Sequence, residues 1–369
     1  MRFDDHPTVL AIRSQGGERA AVTTWDDGPV VLDSAWLRSL CLEAGADDVG
    51  FVSIDHPDLE QDRQYIDQVL PGIKTLIGFV CRSNVDNLRS PARATANLEF
   101  HSSYDEVDTV GRRIARLLND EGVRAVNPAA GFPQEMERFP DHAWSIPHKR
   151  VAVAAGLGRM GIHRLVIHPK FGNFIVLGTV ATQATVSKLS TEIEFNPCLE
   201  CKLCVSVCPV GAIGNDGSFN FESCYTHNYR EFMTGFTDWA QTIADSSDAA
   251  DYRDRVTDAE SSSMWQSLSF KANYKAAYCM AVCPAGEDVI GNWLDDRRKF
   301  TQEVVRPLQH KEEILYVSED SPAIAHATKR FPHKSVKVID NGFRRPAPRR
   351  SVGTAGSDNG APAVEPSDP

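Results

Sequence analysis

The sequence predicts an α+β fold in two parts, an α/β sandwich followed by a smaller cysteine-rich unit. Three observations carry the prediction. Helix-period and strand-period apolar segments alternate over roughly residues 1–190. From Asn196 to about Trp293 the chain changes to cysteines and polar loops. After that, "EEILYVSEDSPAIAHATKRFPHKSVKVI" reads as strand, helix, strand. The expected units are therefore 1–190, 191–295, a C-terminal α/β extension over 296–342, and a tail over 343–369. The tail is rich in Pro, Gly and Ser and reads as disordered.

Each element has its own signal. In "DSAWLRSLCLEAGADDVGFVSI", Asp33 or Ser34 can cap a helix whose Leu37, Leu40, Cys41 and Ala44 share a face. Gly45 stops it and a strand follows. "IKTLIGFVC" is a second apolar strand, ending at Cys81. "SYDEVDTVGRRIARLLNDEG" predicts the strongest helix, with Val107, Val110, Ile114, Leu117 and Leu118 at helical spacing. "VRAVNP" and "NFIVLGTVATQ" read as strands, and "RVAVAAGLGRMG" as a helix or strand around a glycine loop. The acidic, serine-rich stretch between Cys224 and Cys279 reads as a solvated helical insert.

The chain has 369 residues, a formal net charge of −11 and 42% hydrophobic content, enough for one large or two ordinary globular domains. No apolar run is long enough to span a bilayer. "MRFDDHPTVLAIRSQGG" has neither a basic start before an apolar stretch nor a twin arginine, so the expectation is a cytoplasmic protein with no membrane partner. Nine cysteines in a reducing compartment are then not a disulfide framework. The acidic balance argues against nucleic acid as the main partner.

The chemistry is concentrated in "CLECKLCVSVCP". Cys198, Cys201 and Cys204 stand at i, i+3 and i+6, and Cys208 follows before Pro209. Zinc sites usually show two separated pairs. This run is instead the bacterial ferredoxin pattern, in which the fourth cysteine serves the other cluster. A short loop supplies three corners of a cubane, and the fourth must come from elsewhere. "AAYCMAVCPAGED" repeats the cysteine–proline step at Cys283–Pro284. The crossing rule gives cluster one Cys198, Cys201, Cys204 and Cys283, and cluster two Cys208, Cys279 and, by elimination, Cys224. A further cysteine is expected three residues before Cys279, but Ala276 stands there. Cluster two is then a three-iron cluster, or a four-iron cluster with a non-cysteine ligand such as the neighbouring His227 or Tyr278. Cys41 and Cys81 read as buried apolar residues.

A second block, "KRVAVAAGLGRMGIHRLVIHPKFGNFIVLGTVAT", holds Gly156, Gly158 and Gly161 in a G-x-G-x-x-G pattern. No acidic residue follows on the next strand, so the dinucleotide reading is weak, and the glycines suit close approach to another large flat or phosphate-bearing ligand.

This glycine block, then "NPCLECKLCVSVCPVGAI", then "YCMAVCP", resembles the family of epoxyqueuosine reductases and reductive dehalogenases, over roughly residues 35–290. The resemblance implies a nitroreductase-like α/β domain that binds cobalamin, fused to a ferredoxin-like dicluster domain with two 4Fe–4S clusters. It places Gly156, Gly158 and Gly161 against the corrin or its tail. It places Tyr104, at the opening of the predicted helix, as proton donor, assisted by a basic residue of "IPHKR": Lys149, or else His148 or Arg150. Where epoxyqueuosine reductases carry an acidic aspartate, this chain reads "SIPHKR", and the nearest carboxylate upstream is Asp141. The expected function is a reductase of a small-molecule substrate, fed by a flavodoxin- or ferredoxin-type donor, with nucleic acid unlikely as a partner. The alternatives are a tRNA-acting epoxyqueuosine reductase and an electron carrier without cobalamin.

Overall fold

The computed structural model describes residues 5–14, 30–132 and 145–339. The expected disordered tail, 343–369, and Asp141 lie outside them. The centre is a four-stranded antiparallel sheet in the order Asp48–Ser53, Thr75–Arg82, Ile175–Thr182, Ala125–Val126. Strand alternation sends Ile77, Phe79 and Cys81 to one face, where they meet Leu37 and Cys41 of helix Ser34–Glu43 and Val107, Val110, Ile114 and Leu118 of helix Arg93–Asp120. Leu76 and Val80 go to the other face, against Leu59, Ile66 and Val151. Both faces are covered, which is why the two central strands read as nearly unbroken apolar runs. Cys41 and Cys81 are fully buried core residues.

Asp33 caps its helix by accepting from the Trp36 amide at 2.8 Å. The long helix starts at Arg93, not near Ser103, so Tyr104 lies within it rather than at its opening. The reason is physical. Its first half buries polar groups: Asn97 bonds Tyr274 through the backbone, and His101 meets the Ala272 carbonyl at 2.7 Å. No apolar period marks such a segment. "VRAVNP" contributes only the two-residue strand Ala125–Val126.

The acidic insert forms helices Thr234–Asp245, Ala249–Arg255 and Asp258–Phe270, the last opened by a capping box of Thr257 and Glu260. Trp265, Leu268 and Phe270 face solvent. The inner side is docked on the long helix. Glu231, only 3% exposed, accepts from Arg93, Ser263 and Lys275. Burial would raise its carboxyl, but Lys275 and Arg93 outweigh that and hold it below the ordinary range. In the C-terminal part, strands Ile314–Ser318 and Ser335–Ile339 pair in parallel around helix Pro322–Arg330. The expected strand–helix–strand is thus a single crossover unit.

Replacing Glu231 by Gln strips two half-buried cations of their buried counter-charge. The expected loss is about 3–5 kcal/mol of unfolding free energy, against a near-neutral Trp265→Ser, both read by urea titration of far-UV circular dichroism. Equal stabilities for the two variants would refute the docking role of Glu231.

Candidate functional site

Beside the contacts of the long helix, the loop His168–Asn173 sets the cysteine-rich segment against the sheet domain. His168 Nδ1 accepts from the Lys170 and Phe171 amides, which leaves the proton on Nε2 to donate to Asp48 at 3.0 Å. Asp48 also accepts from Arg38 at 2.6 Å. Burial opposes these bonds to His168 and Arg38, yet they win and pull Asp48 down to about 2. Onto this loop packs the turn after Cys283. A Cβ on Gly172 would lie 2.2 Å from the Ala285 carbonyl oxygen, and one on Gly286 would lie 2.3 Å from the Gly172 nitrogen. Both glycines have positive φ. The amides of Glu287 and Asp288 then donate to the Pro169 and Lys170 carbonyls at 2.9 Å.

Cys198, Cys201, Cys204 and Cys283 line one cavity, together with Ile162 and His163 of the sheet domain. The loop curls by placing two non-glycine residues, Glu200 and Lys202, in the left-handed region at φ 48° and 61°. Helix Leu203–Val207 follows directly. Burial pushes the Cys204 and Cys283 thiols up to about 12, each opposed by a neighbouring backbone amide, of Val205 and Ala285. Coordination to a metal would reverse that shift. Four sulfurs around one space, with amide donors beside them, suit a soft iron–sulfur cluster. Arg89 reaches this region from the sheet domain. Its guanidinium lies 5.2 Å from the ring centroids of both Phe174 and Phe300, and Nε donates to the Ala281 carbonyl at 3.2 Å.

The other three cysteines form a second set. Cys208, Cys224 and Cys279 lie close enough to raise one another's thiols, beneath the larger effect of burial; Cys224 is pushed up to about 12. Cys208 Sγ accepts from the Ala212 amide at 3.2 Å. Ala276 packs in the same cluster of side chains as Cys224 and Cys279, and its amide is pinned to Asn228 Oδ1 at 2.9 Å. The set therefore offers three thiols, with a methyl group near them in place of the fourth. Tyr278 donates its hydroxyl to Glu313 at 2.7 Å, and His227 Nδ1 accepts from the Tyr316 amide at 3.3 Å. Both residues are engaged with the C-terminal extension.

The three basic residues of "IPHKR" separate sharply. His148 is clamped between Thr179 Oγ1 at 2.8 Å and the Ala129 carbonyl at 3.2 Å, and burial pushes it down to about 4. Arg150 pairs with Asp62 at 2.7 Å. Lys149 faces Cys224 and Cys279; burial lowers its amine and the two sulfurs oppose that. Tyr104 instead neighbours Tyr229 and Tyr274, and burial, then Asp108, pushes its phenol up. Among the groups that shift the Tyr104 phenol there is no cation. Asp108, one turn after Tyr104, accepts from the Ala130 amide at 3.0 Å, and its carboxyl is raised by burial and Asp105.

The glycine block closes on the chain itself. A Cβ at Gly156 would meet the Thr191 oxygen at 2.3 Å, and at Gly158 the Ile167 oxygen at 2.4 Å. At Gly161 it would meet His163 Cε1 at 2.7 Å. The space these glycines leave is filled by protein, so they do not form a cradle for a corrinoid.

Residues 191–214 match the family model described as a 4Fe–4S binding domain. An epoxyqueuosine reductase of Synechococcus sp. (strain RCC307) is 28% identical over 155 residues, 41% of this chain and 44% of that protein. The epoxyqueuosine reductase of Staphylococcus aureus (strain NCTC 8325 / PS 47) is 32% identical over 231 residues, 48% of this chain and 58% of that protein. Over these stretches the chain is similar to epoxyqueuosine reductases. It spans about half the length of the curated relatives it matches. Among solved structures, the epoxyqueuosine reductase from Streptococcus thermophilus is 15% identical, with a TM-score of 0.40 and 80% of each chain covered. A catabolic reductive dehalogenase is also 15% identical, with a TM-score of 0.44, covering 73% of this chain and 34% of that one.

These relatives correct one expectation. They are named for epoxyqueuosine, and an epoxyqueuosine reductase has been crystallised with an epoxyqueuosine-modified tRNA stem loop. Nucleic acid is therefore not an unlikely partner, and the small-molecule substrate has no support. The net charge misled because it averages over the chain. Arg297, Arg298, Lys299, Arg306, Lys329 and Arg330 all stand on short helices of the C-terminal part. No helix among the described residues is long and apolar enough to cross a membrane.

Two outcomes test this site. Because Asp48 is held at about 2 in the folded chain, its contribution of about 2 kcal/mol is complete above its unfolded value near 4 and is lost as pH falls towards 2. Asp48→Asn should flatten that part of the stability–pH curve between pH 4 and 2, measured by denaturation at fixed ionic strength. At the second cysteine set, Ala276→Cys should convert three-thiol binding to four-thiol binding, seen as loss of a three-iron electron paramagnetic resonance signal in reconstituted protein. An unchanged spectrum would show that position 276 does not reach the cluster.

Proposed function

We propose that the protein is an iron–sulfur reductase of the epoxyqueuosine reductase type, acting on a modified nucleoside carried by RNA. The observation that carries the reading is the grouping of seven cysteines into two sets, the second facing Lys149 of the sheet domain. In this reading Cys198, Cys201, Cys204 and Cys283 hold a four-iron cluster. Cys208, Cys224 and Cys279 hold the second, either as a three-iron cluster or with a fourth ligand that is not cysteine. The sheet domain is nitroreductase-like, with boundaries near 190, 295 and 342. The resemblance of the glycine block implies a corrinoid, but the glycines themselves are packed by the chain's own atoms and would not hold it.

Removal of an epoxide oxygen to leave an alkene takes two electrons and two protons, with the oxygen leaving as water. Two clusters suit delivery of single electrons. The protons need acids. Tyr104 and Asp108, both shifted towards the protonated form by burial, are proposed as these, with Lys149 near the sulfurs of the second set.

The direct test incubates reconstituted protein, cobalamin and a low-potential reductant with a stem-loop RNA bearing epoxyqueuosine, then digests it and reads the nucleosides by mass spectrometry. Formation of the deoxygenated nucleoside is expected. Unchanged RNA with both clusters present would overturn the reading. Because Asp108 acts in its protonated form, the rate should fall as pH rises through its raised pKa. Asp108→Asn should cost about 10²-fold and remove that limb of the profile, whereas a merely structural role would leave the limb in place.

A further inference from the structure

The C-terminal extension carries a pocket that the reductase reading does not use. It measures about 410 Å³, and lies between the C-terminal ends of helices Arg306–His310 and Pro322–Arg330 and the helix Leu203–Val207. Arg306, His310, Arg330 and His333 line it, over an apolar floor that includes Leu203 and Phe331. No carboxylate lines it. Neither arginine forms an ion pair with another described residue, although carboxylates outnumber Lys and Arg in the chain by 50 to 39. Elsewhere in the same part of the molecule Lys334 pairs with Glu313, Lys337 with Glu260 and Arg230 with Asp238, whereas the exposed Arg297, Arg298, Lys299 and Lys329 do not line this pocket. The rings of His310 and His333 meet edge to face at 6.1 Å, and His333 also meets Phe331 at 6.4 Å.

We propose that this pocket binds the phosphate ester of a nucleotide. Two guanidinia without carboxylate partners supply the planar, forked donors that phosphate oxygens accept. His310 adds an imidazole donor and a ring edge, while the Nε2 of His333 donates to the Gln309 carbonyl at 3.0 Å. The volume exceeds what a bare phosphate needs and lies in the range of small-molecule sites. The helix ends do not help, since C-terminal ends carry negative potential. The attraction therefore comes from the side chains, and it should weaken with salt. The nucleotide is either free or part of an RNA chain, and the two sources share this chemistry. The proposal does not rest on the reductase reading.

The test uses the full chain with its clusters rebuilt. Binding of AMP, of adenosine and of a fluorescent 17-nucleotide stem-loop RNA is measured for the wild type, for Arg306→Gln and Arg330→Gln singly, and for the double variant. Both arginines are exposed, so the fold should survive; retained cluster absorbance checks this. The double variant is expected to weaken binding by about tenfold or more, with adenosine bound no better than by chance contact throughout. A loss for AMP alone assigns the pocket to a free nucleotide. A loss for the stem loop, with or without AMP, assigns it to a nucleotide of an RNA chain. Equal binding of both probes by wild type and double variant overturns the proposal.

Discussion

The backbone contact between Gly172 and Gly286 sets where everything else lies. At those two points the sheet domain and the turn after Cys283 approach to a distance that no side chain could share. The amides of Glu287 and Asp288 close the contact with two hydrogen bonds. Cys283 is held three residues from it, and the loop of Cys198, Cys201 and Cys204 shares a cavity with it. The loop that receives this turn is fixed in its own right. Asp48 on an edge strand fixes the tautomer of His168, and His168 ties down the amides of Lys170 and Phe171. A line of hydrogen bonds thus runs from the sheet to the cysteines.

Electrostatics organise the second half of the site. The cysteine-rich part and its insert bring several cations inside, and most are matched. Glu231 serves Arg93 and Lys275, and Glu313 serves Lys334. Two exceptions stand out among the described residues. Lys149 faces sulfur rather than carboxylate, and Arg89 lies between two phenylalanine rings with its Nη2 buried and without a partner. Lys149 lies beside a cysteine set, where a bound cluster would carry negative charge, while Arg89, beside Cys283, also has the Asp86 carboxylate nearby. Buried cations without acids are costly unless something anionic compensates them.

Much of the fold could be read from periodicity. Helix Ser34–Glu43, strands Thr75–Arg82 and Ile175–Thr182, and the crossover unit at Ile314–Ile339 all follow apolar spacing, because each buries a regular hydrophobic face. The first half of the long helix escaped because its buried face is Asn97 and Ser103, bonded to polar partners far along the chain. The net charge concealed the basic surface of the C-terminal part for a similar reason: a sum does not record where the charges stand.

The sequence by itself determined the metal chemistry. Three cysteines at i, i+3 and i+6 must share a loop, and alanine at position 276 removes a thiol whatever the fold. It also determined the glycine pattern, but not what the glycines face. That was decided by tertiary structure, which fills the space beside Gly156 and Gly158 with the chain's own carbonyls. Tertiary structure likewise chose among His148, Lys149 and Arg150, since neighbours in sequence point to different partners once they lie on a helix. It alone brought Cys283 across the chain to Cys198, and Lys149 to Cys224. Spacing fixes what a local loop can hold, while contacts between distant segments depend on how the sheet and its loops pack.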